Sequence, residues 1–247
     1  MMTTTTATDE TTHVDAKRSL LRVTLLWQWC VYVMSLCTFH LLEFFITVMY
    51  NPTQATADSY LVNHSLPYTA AVLTSWMEFW IRYIFVPSIN LPYHITHCLG
   101  PIMVIGSQGL RTLAMKTAGE SFHHYIQTHK KDNHVLVTHG IYHYLRHPSY
   151  VGFFYFSIAT QLVLGNILHA MAFGIVSFQF FQRRIAYEEE QLCTFFPKEY
   201  PNYRQSTWMG IPFLQSTTTV VVNHENHHNR NKTNWFPLES RERESRE

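Results

Sequence analysis

Charge is in short supply in this chain. Only 14% of its 247 residues are Asp, Glu, Lys or Arg, against about 25% in ordinary soluble domains. The formal net charge is +1, so no global field recruits nucleic acid. No basic stripe with interleaved aromatics appears either, and a nucleic-acid binder is not expected. Cysteine is sparse as well. Cys30, Cys37, Cys98 and Cys193 show no CxxC pairing, which argues against a disulfide framework or a cysteine metal site. The threonine-rich start lacks a charged region followed by a short apolar core and a small-residue cleavage site, so a cleaved signal peptide is not expected.

What the chain has instead is apolar and aromatic. Aromatic residues make up 15% of it, and they gather in long runs. A membrane-spanning helix needs about 20 mostly apolar residues, and residues 20 to 49, 67 to 86 and 91 to 115 meet that requirement. Two shorter runs, 149 to 164 and 166 to 182, meet at Gly165-Asn166, a pair suited to a tight turn, and read as a helical hairpin. The expected fold is an all-α integral membrane protein of about five transmembrane helices, with the hairpin at 149 to 182 and a cytosolic catalytic cap. The polar ends, 1 to 19 and 215 to 247, lack the apolar content for a core and read as disordered tails. The functional domain is then 20 to 214.

Orientation follows from Lys and Arg near the helix ends. The stretch 111 to 146, from the end of the third run to just before the fourth, holds Arg111, Lys116, Lys130, Lys131 and Arg146, and Arg183, Arg184, Lys198 and Arg204 follow the fifth. The connections 50 to 66, 87 to 90 and 165 to 166 carry none. Both charged stretches are expected on the cytosolic side, where they can form one site. Lys17, Arg18 and Arg22 pull the other way, because five spans place the N-terminus across the membrane.

Ionisable groups inside apolar runs are costly. Glu78 and Arg82, four residues apart, read as a helical ion pair, and His40 and Glu43, three apart, as packing partners. The reactive side chains lie elsewhere. His139, His143 and His147 are spaced like metal ligands, with His123, His124, His129 and His134 nearby. Gly140 and Pro148 interrupt the helix such ligands require, so no metal site is expected. Pro148 instead suits the first turn of a helix, whose free amides and dipole can hold an anion, with His147, Ser149 and Tyr150 adding donors. Beyond the hairpin, Arg184 and Glu188 share a helix face. That spacing fits either a solvated ion pair or an arginine fork for an anion beside a carboxylate for an ammonium group.

The segments "TAGESFHHYIQTHKKDNHVLVTHGIYHYLRHPSYVGFFYFSIATQLVLGN" and "EEEQLCTFFPKEYPNYRQSTWMGIPF", with "NHSLPYTAAVLTSWMEFW" before them, closely resemble the protein-S-isoprenylcysteine O-methyltransferases. The likeness runs over roughly residues 38 to 214. It implies transfer of a methyl group from S-adenosylmethionine to the C-terminal carboxylate of a farnesylated or geranylgeranylated cysteine. The acceptors would be processed CaaX proteins such as small GTPases, and the setting the endoplasmic reticulum membrane with the site facing the cytosol. Carried over by position, the cofactor contacts fall on Gln127, His134, Val135, Leu136, Val137, Tyr142, His147, Pro148, Ser149, Tyr150 and Glu188. The substrate-side, catalytic arginine falls on Arg184. Val135 stands where threonine is usual, and Ala186 and Tyr187 precede the first acid, which leaves Glu189 as a substitute for Glu188. Animal members also carry additional N-terminal membrane helices. The RHPxYxG half occurs in membrane sterol reductases too, and an NADPH-dependent reductase is the alternative. Such an enzyme would carry a KYG-type ending where this chain has "FFPKEY".

Overall fold

A computed structural model describes residues 4–61, 66–86, 91–124, 126–127, 129 and 135–214. Five long helices carry the chain: α1 (Thr4–Tyr50), α2 (Leu66–Phe85), α3 (Gly100–Ala118), α4 (Pro148–Leu164) and α5 (Ile167–Phe195). A short α6 (Glu199–Ser206) follows. Among the described residues, the part of α1 from Asp15 to Tyr50 is long and apolar enough to cross a membrane by length and composition alone.

The expected helices are all present, with shifted ends. Residues 4–19, read as a disordered tail, continue α1 as helix; extending an existing helix costs far less than nucleating one. The segment expected at 91 to 115 opens with a π-helical turn, Ile95–Leu99, and runs on to Ala118. α5 continues past the apolar run through Arg184 and Glu188 to Phe195. The expected tail at 215–247 lies outside the described residues.

α3 and α4 form the closest pair, because glycine lets their backbones touch. A Cβ on Gly152 would stand 2.8 Å from both the Ser107 carbonyl oxygen and Arg111 Cβ. At the other end, a Cβ on Gly100 would stand 3.0 Å from the Val163 backbone nitrogen. α1 lies across this pair in a core of Leu25, Tyr32, Phe39, Val104, Phe156, Ala159 and Val163. α2 joins through aromatic rings: Trp29 meets Trp76, Phe79 and Trp80, and Trp76 Nε1 donates to Tyr32 Oη at 2.9 Å.

Gly165 closes α4 in the left-handed conformation (φ 71°), and its amide reaches the Leu162 carbonyl at 3.1 Å. Arg82 does not serve as the helical partner of Glu78. Its guanidinium caps α4, donating to the Leu164 carbonyl and, at 2.6 Å, to the Gly165 carbonyl. The unmatched carbonyls of a helix end accept hydrogen bonds from a cation placed there. Glu78 takes the His169 ring and, at 3.2 Å, the His169 amide in the first turn of α5, where an acid is favoured. His40 and Glu43 also part company: His40 meets the Tyr60 carbonyl at 2.7 Å, and Glu43 turns to Arg111.

After α6 the chain lies back against the helices. Trp208 donates to the Tyr144 carbonyl at 3.0 Å and accepts from the Arg146 amide at 2.9 Å. Met209, Ile211 and Leu214 then pack on Val151, Phe154, Phe181 and Ile185. The end of α1, the loop after α3, the start of α4 and the end of α5 thereby meet at one end of the bundle.

Candidate active site

The site is built around the first turn of α4. Pro148 occupies its first position, and the His147 carbonyl accepts from the amides of Tyr150 and Val151, both at 3.1 Å. Ser149 is held from below. Arg111 Nη1 donates to its Oγ at 3.0 Å and to its carbonyl at 3.2 Å, while Nη2 reaches Glu43 Oε2 at 2.8 Å. Both ions are buried, and the second oxygen of Glu43 takes Arg111 Nε. A buried pair survives only with such full satisfaction. α1, α3 and α4 are therefore locked together directly beneath the site.

Tyr150 joins the two helices of the hairpin. Its hydroxyl donates to Glu188 Oε2 and accepts from Arg184 Nε at 2.9 Å. Arg184 lies over the Tyr150 ring, 5.3 Å from its centroid, and donates through Nη2 to the His124 carbonyl at 2.6 Å. Its burial, 9% exposed, rules out the solvated surface pair that spacing alone allowed. The His147 ring stacks on Tyr150 at 5.6 Å between centroids.

A cavity opens beside this arrangement. Of the residues expected to hold a cofactor, Val135, Leu136, Val137, Tyr142, His147, Ser149, Tyr150 and Glu188 all line it. Pro148 is buried in the turn behind it, Gln127 is half-buried outside its lining, and His134 lies outside the described residues. Arg184 meets it through Tyr150. Ala118, Ser121, Phe122, His123, Arg146, Leu192, Tyr200 and Tyr203 complete the wall. Arg146 was in view in "RHPSY", and both tyrosines in "KEYPNY"; helix periodicity gave no sign that they face a common space.

Glu189, the substitute for Glu188 that the acidic run offered, is not part of the cavity lining. Successive helix residues point about 100° apart, and Glu189 turns away from the cavity into full burial. There it accepts from Arg146 Nε at 2.7 Å and His147 Nε2 at 3.2 Å, with Arg204 Nε at 3.5 Å. The loop histidines divide. His139 and His143 are exposed, and His123 lines the cavity. His124 sits beside Thr47 Oγ1 at 3.3 Å. Among the described residues no three His, Cys, Asp or Glu side chains converge as metal ligands.

Burial keeps the phenols of the cap neutral. It pushes Tyr142 well above the usual range, with the Glu188 charge adding to the shift. Burial and Glu189 do the same to Tyr200. Tyr203 is pushed up to about 12 by burial, although Arg146 works against it. Each remains a donor at neutral pH, and Tyr203 Oη uses its proton on the Tyr142 carbonyl at 2.6 Å.

Fold and site together define a helical enzyme whose polar cavity sits where apolar helices end. The sequence profile of the isoprenylcysteine carboxyl methyltransferase family matches residues 100–194. The chain is 44% identical over 182 residues to the protein-S-isoprenylcysteine O-methyltransferase of Dictyostelium discoideum, covering 74% of this chain and 76% of that one. It is 42% identical over 184 residues to the Homo sapiens protein of that name, of which it covers 64%. A solved structure, the eukaryotic intramembrane Ras methyltransferase of the same family, superposes with a TM-score of 0.75 at 40% identity, covering 77% of this chain and 68% of that one. The chain belongs to the isoprenylcysteine carboxyl methyltransferase family. The sterol reductase alternative finds no support among these relatives.

Proposed function

We propose that this chain transfers the methyl group of S-adenosylmethionine to the C-terminal α-carboxylate of a prenylated cysteine, giving a methyl ester. The observation that carries the reading is the Tyr150 hydroxyl, which ties Arg184 of α5 to Glu188 at the wall of the cavity. The cavity suits the donor chemically: Glu188 answers an ammonium group, and Val135, Leu136 and Val137 offer apolar surface. The donor would supply an electrophilic sulfonium methyl.

The carboxylate is already ionised at neutral pH, since its reference pKa is about 3.5, so no general base is required. One carboxylate oxygen forms the new bond to carbon as the carbon–sulfur bond breaks, and the electron pair stays on sulfur. Arg184 remains charged and can hold the carboxylate without protonating it. Alignment at near-attack distance then supplies several kcal/mol of the barrier reduction. A buried CH2 contributes about 0.8 kcal/mol, so a long prenyl tail stays in lipid while the donor comes from water. A cavity at the end of apolar helices joins the two.

In this reading the five long helices all span the endoplasmic reticulum membrane, with the cap in the cytosol and processed CaaX proteins such as small GTPases as acceptors. Membranes containing the protein should transfer label from S-adenosylmethionine to N-acetyl-S-farnesylcysteine. No incorporation by folded protein would refute the proposal.

A further inference from the structure

The geometry points to Arg146 as the anion-binding residue of the cavity, taking the α-carboxylate at the amino-acid end of the methyl donor, with Glu189 as its positioning residue. This rests on the methyl-transfer reading above and extends it to a residue for which that reading has no role.

Arg146 lines the cavity with its side chain 10% exposed. Its Nε is committed to Glu189 at 2.7 Å and its Nη1 to the Thr207 carbonyl at 2.6 Å. Nη2 has no partner among the described residues. Nη2 is also absent from the buried atoms that lack a partner, so it is open to the cavity, where an anion can replace water as its acceptor in a charge-assisted hydrogen bond. The local charge count favours an anion. One carboxylate, Glu189, faces two guanidinium groups, Arg146 and Arg204, and also accepts from His147. One positive charge is therefore in excess. The other carboxylate of the wall, Glu188, is bonded to Tyr150, which also takes Arg184.

The cavity thus presents one cation with an open donor and one carboxylate, the complement of an α-amino acid zwitterion. The Arg146 side is also rigid. The backbone of Arg146 is pinned to Trp208, and two of its guanidinium nitrogens are held, so little freedom is lost when the third binds.

The full chain in lipid nanodiscs would be titrated with S-adenosylhomocysteine and with its decarboxylated analogue, which keeps the ammonium and loses the carboxylate. Arg146→Gln should weaken S-adenosylhomocysteine about 10- to 100-fold, the loss expected for a hydrogen bond between charged groups, and leave the analogue within about twofold. Glu189→Gln should show the same selectivity more weakly, raising KM for the donor while kcat at saturation is retained. Equal losses for both ligands, or none for S-adenosylhomocysteine, would overturn the assignment. Should the glutamine variant not fold, Arg146→Lys decides it on the same criterion: selective loss supports the assignment and equal loss overturns it. Wild-type protein that binds neither ligand overturns the methyl-transfer reading and this assignment together.

Discussion

Tyr150 concentrates the chemistry of the site in one hydroxyl group. It donates to Glu188 and accepts from Arg184, so Tyr150→Phe leaves a cation and a carboxylate without the group that orients both. Losing such a charge-assisted contact is worth about 10- to 100-fold. We expect kcat/KM to fall by that much with the fold intact, checked by methylation kinetics beside a melting curve. Arg184→Ala should abolish turnover and leave S-adenosylhomocysteine binding measurable by calorimetry; equal loss of both would remove Arg184 as the substrate residue. Tyr203 gives a prediction in pH. Its phenol is raised to about 12 in the fold from a reference near 10, so the native state favours the protonated form. That contribution is fully present below pH 10 and is lost as pH rises from 10 toward 12. The melting temperature should drop across this window, and Tyr203→Phe should flatten the drop.

Among the helices, the α3–α4 crossing is the least forgiving contact. A methyl group on Gly152 meets backbone atoms of Ser107 and Arg111 within 3 Å, and neither can swing aside. Gly152→Ala should destabilise the protein by about 1–3 kcal/mol, seen as a lower midpoint in thermal or denaturant melts. It should also lower activity, because Arg111 holds Ser149 at the same crossing. The elements themselves were legible beforehand: the hairpin turn stands at Gly165-Asn166, and α2 is displaced by one residue from the expected 67 to 86. Apolar run length and turn chemistry are local properties, so they survive in a linear reading. Partner choice is not local. Glu43 and Arg111 are 68 positions apart, and Arg82 abandons a helical neighbour for a helix end 82 positions away. The role of Glu189 was hidden for the same reason, since Arg146 and His147 come from the turn before α4 and Arg204 from α6.

Considered as one molecule, the chain gathers its polar machinery at one end of the bundle. Asn51, just past α1, donates to the Phe122 carbonyl at 2.8 Å, which puts the first connection on the side of the cavity. The hairpin turn and the end of α2 meet at the opposite end. With the cavity end cytosolic, the sequons at Asn63-His64-Ser65 and Asn231-Lys232-Thr233, both outside the described residues, should stay unmodified. A mobility shift reversed by endoglycosidase would refute this orientation.

The final strap, which carries Thr207 and Met209 back onto α4 and α5, bears on how the gene can fail. A premature stop just after Phe195 would leave the residues of all five long helices in the product. It would remove Tyr200, Tyr203, Arg204 and the carbonyl that steadies Arg146. It would also uncover Val151, Phe154, Phe181 and Ile185, which Met209, Ile211 and Leu214 cover, so under the proposed chemistry such a product is expected to lose methyl transfer although its apolar helices remain.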